Sequence, residues 1–210
     1  QCFAWLWQTM LTMPMKLLLW YPWKCRRKQC ARRLIALRTG IPATLIRLGR
    51  LSYFGRDKLV ADVSRLQQVT GDHPFYLMQG SLISAVEDLV VRVRELKPTC
   101  LYVDGAYLLR SKAQQESRWE RVTYTAEFLK MVATEFNIPV IATYQFNRRG
   151  PGSLGNIAFA DSIGMLASIV IGISDESVEE ANSWVPVSFK IIELLKGREG
   201  EKGVIRCIYD

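Results

Sequence analysis

The chain predicts an α/β fold: a doubly wound, mainly parallel sheet with helices on both faces, ending in an antiparallel hairpin. Three observations carry that expectation. Apolar, β-branched runs over residues 99–104 and 138–144 are each preceded by a stretch of helical periodicity. These runs lack the apolar/polar alternation of a half-exposed sheet, as strands covered on both faces should. The last two runs are joined by a short Gly-rich polar turn. With 210 residues, 49% of them apolar and 23% charged, the chain can bury one such domain, which excludes wholesale disorder, a collagen and a disulfide miniprotein.

From Ala31 the pattern is regular. It predicts a helix through about Leu37, a break at Thr39-Gly40-Ile41-Pro42, and a short helix over 43–48 ended by Gly49. Residues 57–69 read as an amphipathic helix with Leu59, Val60, Val63 and Leu66 on one face, closed by Gly71, and a short strand follows over 74–78. A helix over 83–96 stops at Lys97-Pro98, before the buried strand 99–104. A long helix over 116–136 sets Trp119, Val122, Ala126, Leu129, Val132 and Phe136 on one face. The strand 138–144 leads into a Gly-rich basic loop over 147–155. A helix over 157–166 then feeds a strand over 168–173, taken as another parallel crossover. Strands over 187–195 and 203–209 close the chain as a hairpin.

The charge is unevenly placed. Residues 1–56 hold 11 Lys and Arg and no acid, so the net charge of +8 is +11 from the front and −3 from the rest. Within the first 30 residues lie Trp5, Trp7, Trp20 and Trp23, four of the six tryptophans, and three of the five cysteines. Residues 2–23 are apolar and are followed by basic residues, as a membrane anchor would be. Gln8, Thr9, Thr12, Pro14 and Lys16 interrupt the run, no span of about 20 apolar residues remains, and no membrane association is expected. Five cysteines without a C-x-x-C pair, and a single His, indicate neither a zinc site nor a disulfide framework, and a reducing cytosol fits best.

Four elements suggest chemistry. Asp104 ends a buried strand, which places a carboxylate at the carboxyl edge of a parallel sheet, where ligands bind. An Asp there holds magnesium in some nucleotide enzymes and caps a helix or loop in many other proteins. Gln145 ends the next strand, beside Asn147, Arg148 and Arg149, where a neutral hydrogen-bonding group can sense a phosphate or a water, although most Gln residues at strand ends do neither. Lys196-Gly-Arg198-Glu-Gly200 puts two cations on a hairpin turn, either as a solvated tip or as a finger onto a neighbouring subunit's phosphoryl group. His73, before Pro74, reads as a structural or exposed loop residue.

In this order the elements resemble the C-terminal, RecA-like ATPase domain of DnaB-type replicative helicases, especially phage-encoded ones, over residues 31–210. The family's strand ending in Asp looks like Leu101-Tyr-Val-Asp104, and its Gln-x-Asn-Arg strand end like Gln145-Phe-Asn147-Arg148. A later segment is similar to Ala160-Asp161-Ser162-Ile163-Gly164, and its K-x-R finger to Lys196-Gly-Arg198. The resemblance implies ATP and Mg2+ as cofactors, a homo-hexamer around single-stranded DNA, and a primase or helicase loader as partner, in the cytoplasm of a bacterium or phage-infected host. It also implies roles: Asp104 on magnesium and its water, Gln145 coupling the γ-phosphate to DNA, Lys196 and Arg198 acting in trans on the nucleotide. Asn147, Arg148, Arg149 and Gly152 would contact DNA phosphates.

Two family features are missing. The chain has no Gly-Lys dipeptide for a phosphate loop, and no catalytic Glu in a Ser-x-Glu-Met-like segment before residue 31. Both absences fall in the odd front, which suggests that residues 1–30 are translated out of frame, leaving 31–210 as an N-terminally incomplete ATPase core. Trp is always TGG and Lys always AAA or AAG, so Trp23-Lys24 contains GAA, a Glu codon, in the frame that starts at each third base. In that frame Trp20-Tyr21 must give Val, and the intervening codons permit Val-Ser-Met-Glu-Met. The phosphate loop is then expected at or before Gln1, and the 210-residue chain is expected to be inactive. Two other readings stay open: a recombinase-type ATPase of the same fold, and a non-catalytic nucleic-acid-binding protein that uses the basic front.

Overall fold

A computed structural model of the chain describes residues 17–21, 27–70, 74–79, 85–112, 117–145, 160–175, 188–198, 200 and 202–209. Its centre is a four-stranded parallel sheet in the order β2-β1-β3-β4. These strands are β1 (Leu17–Tyr21), β2 (Phe75–Gln79), β3 (Cys100–Val103) and β4 (Val140–Ala142). β1 is an inner strand: Leu17 pairs with Phe75 on one side and Cys100 on the other, and Trp20 with Met78 and Val103. The segment set apart by its composition therefore supplies a strand to the middle of the sheet. The boundary drawn after residue 30 falls inside α1 (Arg27–Thr39). Leu-Leu-Leu-Trp-Tyr has the continuous apolar character that a strand between two parallel neighbours requires.

Three helices fill the connection from β1 to β2. α1 stops at Gly40, whose φ of 66° is left-handed, and a bidentate ion pair from Arg38 to Asp62 ties it to α3 (Tyr53–Thr70). Between them, α2 (Ala43–Leu48) ends at Gly49 in the left-handed region, with the Gly49 amide on the Leu45 and Ile46 carbonyls, as expected. α3 begins four residues before the expected start at 57. The Ser52 hydroxyl accepts the Gly55 amide and anchors the first turn there.

α4 (Asp88–Leu96) is shorter than expected, because residues 85–87 serve another purpose: Ala85 bridges to Arg110, and the Val86 amide donates to the Arg110 carbonyl. Lys97, left-handed at φ 45°, and Pro98 end the helix as the sequence indicates. β3 is buried along its whole length. α5 (Arg118–Glu135) carries a full capping box in which Ser117 and Glu120 exchange side-chain and backbone hydrogen bonds. Its inner face is Val122, Ala126, Leu129 and Val132, whereas Trp119, expected on that face, is 52% exposed in the first turn. The main core joins Val86, Leu89 and Val93 to Leu101 and Val103, Ala106 and Leu109, and Leu129 and Val132.

α6 (Ala160–Leu166) leads into β5 (Val170–Asp175). β5 was expected to join the parallel sheet; among the described residues it pairs only with β6 (Ser188–Lys196), antiparallel, and β6 pairs with β7 (Val204–Tyr209). An antiparallel partner, unlike a parallel one, needs no helical crossover between the two strands. The Arg206 guanidinium lies 3.9 Å from the Phe189 ring centroid, and Lys190 pairs with Asp175. The expected Gly71 stop and the ends at 83–84 and 157–159 lie outside the described residues.

Candidate functional site at the carboxyl edge of the sheet

Parallel strands deliver their C-terminal residues to a common edge. Asp104 follows β3 there and is exposed. Gly105, left-handed at φ 72°, turns the chain into a single 3-10 turn over Ala106–Leu108. The residue that organises this corner is Thr143, immediately after β4. Its amide donates to the Val103 carbonyl at 3.0 Å, and its own carbonyl accepts the Ala106 amide at 3.0 Å. Its hydroxyl accepts the Gly105 amide at 2.7 Å and donates to Asp104 Oδ1 at 2.9 Å. Accepting from the amide aims the hydroxyl proton at the carboxylate. One oxygen of Asp104 is thus held in a fixed direction, with the second outside the clasp.

Gln145 lies two residues beyond Thr143 and is exposed. Between them Tyr144 packs into both apolar clusters, and burial pushes its phenol above the ordinary range. Asn147, Arg148, Arg149 and Gly152 lie outside the described residues. The two hairpin cations are placed differently from each other. Arg198 is exposed in the turn, whereas the Lys196 ammonium donates to the Gly164 carbonyl at 2.6 Å and the Met165 carbonyl at 3.3 Å.

Sequence reasoning missed Thr143 and a second polar centre, Glu87. The Glu87 carboxylate accepts the Ser111 hydroxyl at 2.7 Å, the Lys112 amide at 3.2 Å and the Tyr124 hydroxyl at 3.2 Å. Burial pushes this carboxyl up, but the hydrogen bonds outweigh it and hold the group below its ordinary range. Beside it, Lys112 lies 2.7 Å from Asp88; this hydrogen bond and the Ala85 amide lower the Asp88 carboxyl. Its partners lie 24 to 37 positions away, so no local pattern announced the Glu87 cluster, whereas Thr143 stood next to last in the recognised strand 138–144. The Cys100 thiol, buried in β3, is pushed up to about 11 by burial, which makes it a packing residue and not a nucleophile.

A magnesium ion on a nucleotide takes one or two protein carboxylates and fills its other positions with water and phosphate oxygens. Asp104, exposed and held through one oxygen, fits that demand; among the described residues no cluster of three metal ligands competes with it. The phosphates themselves need a Gly-rich cradle with a Lys, and this sequence contains no Gly-Lys pair. The edge thus offers one exposed carboxylate, Asp104, of the kind such an ion would take.

A family model described as the DnaB-like helicase C terminal domain matches residues 8–210. The chain is 30% identical over 133 residues to the replicative DNA helicase DnaB of Treponema pallidum (strain Nichols), covering 60% of this chain and 28% of that protein. It is 27% identical over 168 residues to the replicative DNA helicase DnaB of Leifsonia xyli subsp. xyli (strain CTCB07), covering 75% and 35%. The chain thus spans about a quarter to a third of the length of the curated relatives it matches. Among solved structures, the ATPase domain of G40P superposes with a TM-score of 0.81 over 97% of this chain and 75% of that one, at 18% identity. A DnaB-like replicative helicase, studied with its interactions with primase, superposes with a TM-score of 0.76 over 91% of this chain and 48% of that one, also at 18% identity. The fold is RecA-like, and by the match over residues 8–210 the chain belongs to the DnaB-like helicase C-terminal domain family.

Proposed function

We propose that this chain derives from the motor domain of a replicative DNA helicase, which couples ATP hydrolysis to movement along single-stranded DNA and unwinds the duplex ahead. The observation that supports this most is the Thr143–Asp104 clasp at the carboxyl edge of a DnaB-like fold. Magnesium, when bound with ATP, neutralises phosphate charge. Asp104 would hold that ion, and the Thr143 hydroxyl fixes the direction from which Asp104 does so. Gln145 stands at the same edge, where an amide can report the state of the terminal phosphate to the adjoining loop. Asn147, Arg148, Arg149 and Gly152 on that loop would contact DNA phosphates without reading sequence. Lys196 and Arg198 carry the hairpin charge that a subunit would turn towards its neighbour's nucleotide in a homo-hexameric ring. A primase or a helicase loader is the natural protein partner, in the cytoplasm of a bacterium or of a phage-infected host.

In its present form the chain is inactive in this reading, because residues 1–30 are out of frame. β1, which lies within that segment, pairs as an inner strand in the frame as given, so the frameshift reading rests on the missing Gly-Lys pair and the codon argument alone. Trp20 pairs with Val103, so the chain leaves β1 at the level of Asp104, and the hidden Glu codon across Trp23-Lys24 falls just beyond. A Glu in that segment could polarise the attacking water; losing such a base costs about 10²- to 10⁴-fold in rate. Reading the coding DNA in the frame that starts at each third base tests the point: a stop codon between Gln1 and Cys25 would refute the frameshift. Strand displacement by the frame-restored full-length protein tests the function. Unwinding of a forked duplex with ATP supports a helicase, and strand pairing without displacement supports the recombinase-type alternative instead.

A further inference from the structure

The amino edge of the parallel sheet, at the other end of β3 from Asp104, carries a groove of about 270 Å³. Two helices end there. Lys97 and Pro98 lead from α4 into β3, and residues 136–139 lead from α5 into β4. Val93, Pro98, Phe136 and Ile138 give the groove an apolar lining, and Arg94 and Lys97 border it as exposed cations. The Arg94 guanidinium lies 6.0 Å from the Phe136 ring centroid, so the ring backs the cation and limits the directions it takes. Helix ends usually offer carbonyl acceptors, but here the chain takes up its own. The Lys97 amide bonds the Val93 carbonyl, and the Phe136, Asn137 and Ile138 amides bond those of Val132, Thr134 and Ala133. Glu95, on the flank, is paired with Arg92 at 2.7 Å, and among the described residues no acidic side chain lines the groove. Its polar character is cationic. Lys97 and Asn137 are also the only non-glycine residues at positive φ among the described residues, at 45° and 50°. A helix end in that conformation favours Gly, or else Asn. Lys97 stands against that preference and keeps a cation beside the groove.

We propose that this groove docks an acidic segment of a partner protein: one apolar side chain enters against Val93, Pro98 and Ile138, and carboxylates beside it pair with Arg94 and Lys97. Size and charge select that occupant. Small-molecule sites take about 300–1,000 Å³, and this groove is below that range, enough for one large side chain. A nucleic acid would supply anions but needs an aromatic face on which to stack a base, and the Phe136 ring is already faced by Arg94. Arg94, held against the ring, is pre-organised for a carboxylate. The site stands apart from Asp104, and the proposal does not rest on the helicase reading.

The test titrates the 15N-labelled 210-residue chain with a short peptide of glutamates around one phenylalanine, up to millimolar concentration. Amide shifts should gather at residues 93–97 and 136–138. Affinity should fall about tenfold or more when serine replaces the phenylalanine of the peptide, and by a similar factor in Arg94→Gln and in Lys97→Gly. Lys97→Gly also separates docking from folding: glycine suits the left-handed backbone, so the urea midpoint should hold while binding is lost. Shifts absent at millimolar peptide, or scattered over basic residues elsewhere in the chain, overturn the proposal. Equal binding of the serine peptide does so too, since charge alone then suffices, as does tighter binding of oligo(dT) at the same residues. None of these outcomes involves ATP hydrolysis, so failure here leaves the helicase reading standing.

Discussion

Thr143 carries no charge, yet it fixes the direction of the Asp104 carboxylate at the sheet edge. Its hydroxyl joins the Gly105 amide to Asp104, two groups 38 and 39 positions away. Thr143→Val keeps the shape and leaves the Gly105 amide without its acceptor, which should destabilise the chain by about 1–3 kcal/mol in urea denaturation. Thr143→Ser, which keeps the hydroxyl, should recover most of that loss. A Val variant as stable as the parent would show that the clasp is incidental. Glu87 and Asp88 add a pH dependence. Both carboxyls lie below their ordinary values of 4.5 and 3.8 in the folded chain, so their contribution is complete above about 4.5 and is lost as pH falls through the lower folded values. Thermal unfolding between pH 5 and 3 should show a smaller loss of melting temperature for Glu87→Gln than for the parent. The effect should be modest, because these groups face solvent. At this scale the sequence announced Asp104, Gln145 and the hairpin cations from strand ends and charge. It concealed Thr143 and Glu87, whose roles come from partners distant in the chain.

Helices and strands follow local chemistry closely where that chemistry is strong. Gly49 ends α2 where expected, Lys97-Pro98 ends α4, and β3 is the fully buried strand its composition demands. The differences have local causes too. Ser52 starts α3 early by capping it, and Ala85 is drawn out of α4 by its bridge to Arg110. Trp119 matched the helical spacing of the buried face but sits in the first turn of α5, short of the core that Val122 enters. The capping box of α5 yields its own prediction: Ser117→Ala should cost about 1 kcal/mol in denaturant unfolding without changing the m-value, and an unchanged midpoint would show that packing alone sets the start of the helix. β1 was the least legible element. Its apolar run was embedded in a front set apart by its tryptophans and its basic residues without acids, and only the register against β2 and β3 reveals it as an inner strand.

At the scale of the whole molecule, the topology collects Asp104 and Gln145 at one edge, while the antiparallel sheet carries Arg198 in its β6–β7 turn. The fold class was legible because strand, helix and hairpin each left a periodic trace; the lack of a Gly-Lys pair was legible because a phosphate cradle has a sequence signature. No helix among the described residues is long and apolar enough to cross a membrane. The most direct test of the account is steady-state ATP hydrolysis by the purified 210-residue chain, with and without single-stranded DNA, alongside the frame-restored full-length protein. The account predicts background turnover for the chain and DNA-stimulated turnover, abolished by Asp104→Asn, for the restored protein. DNA-stimulated turnover by the 210-residue chain itself would contradict it.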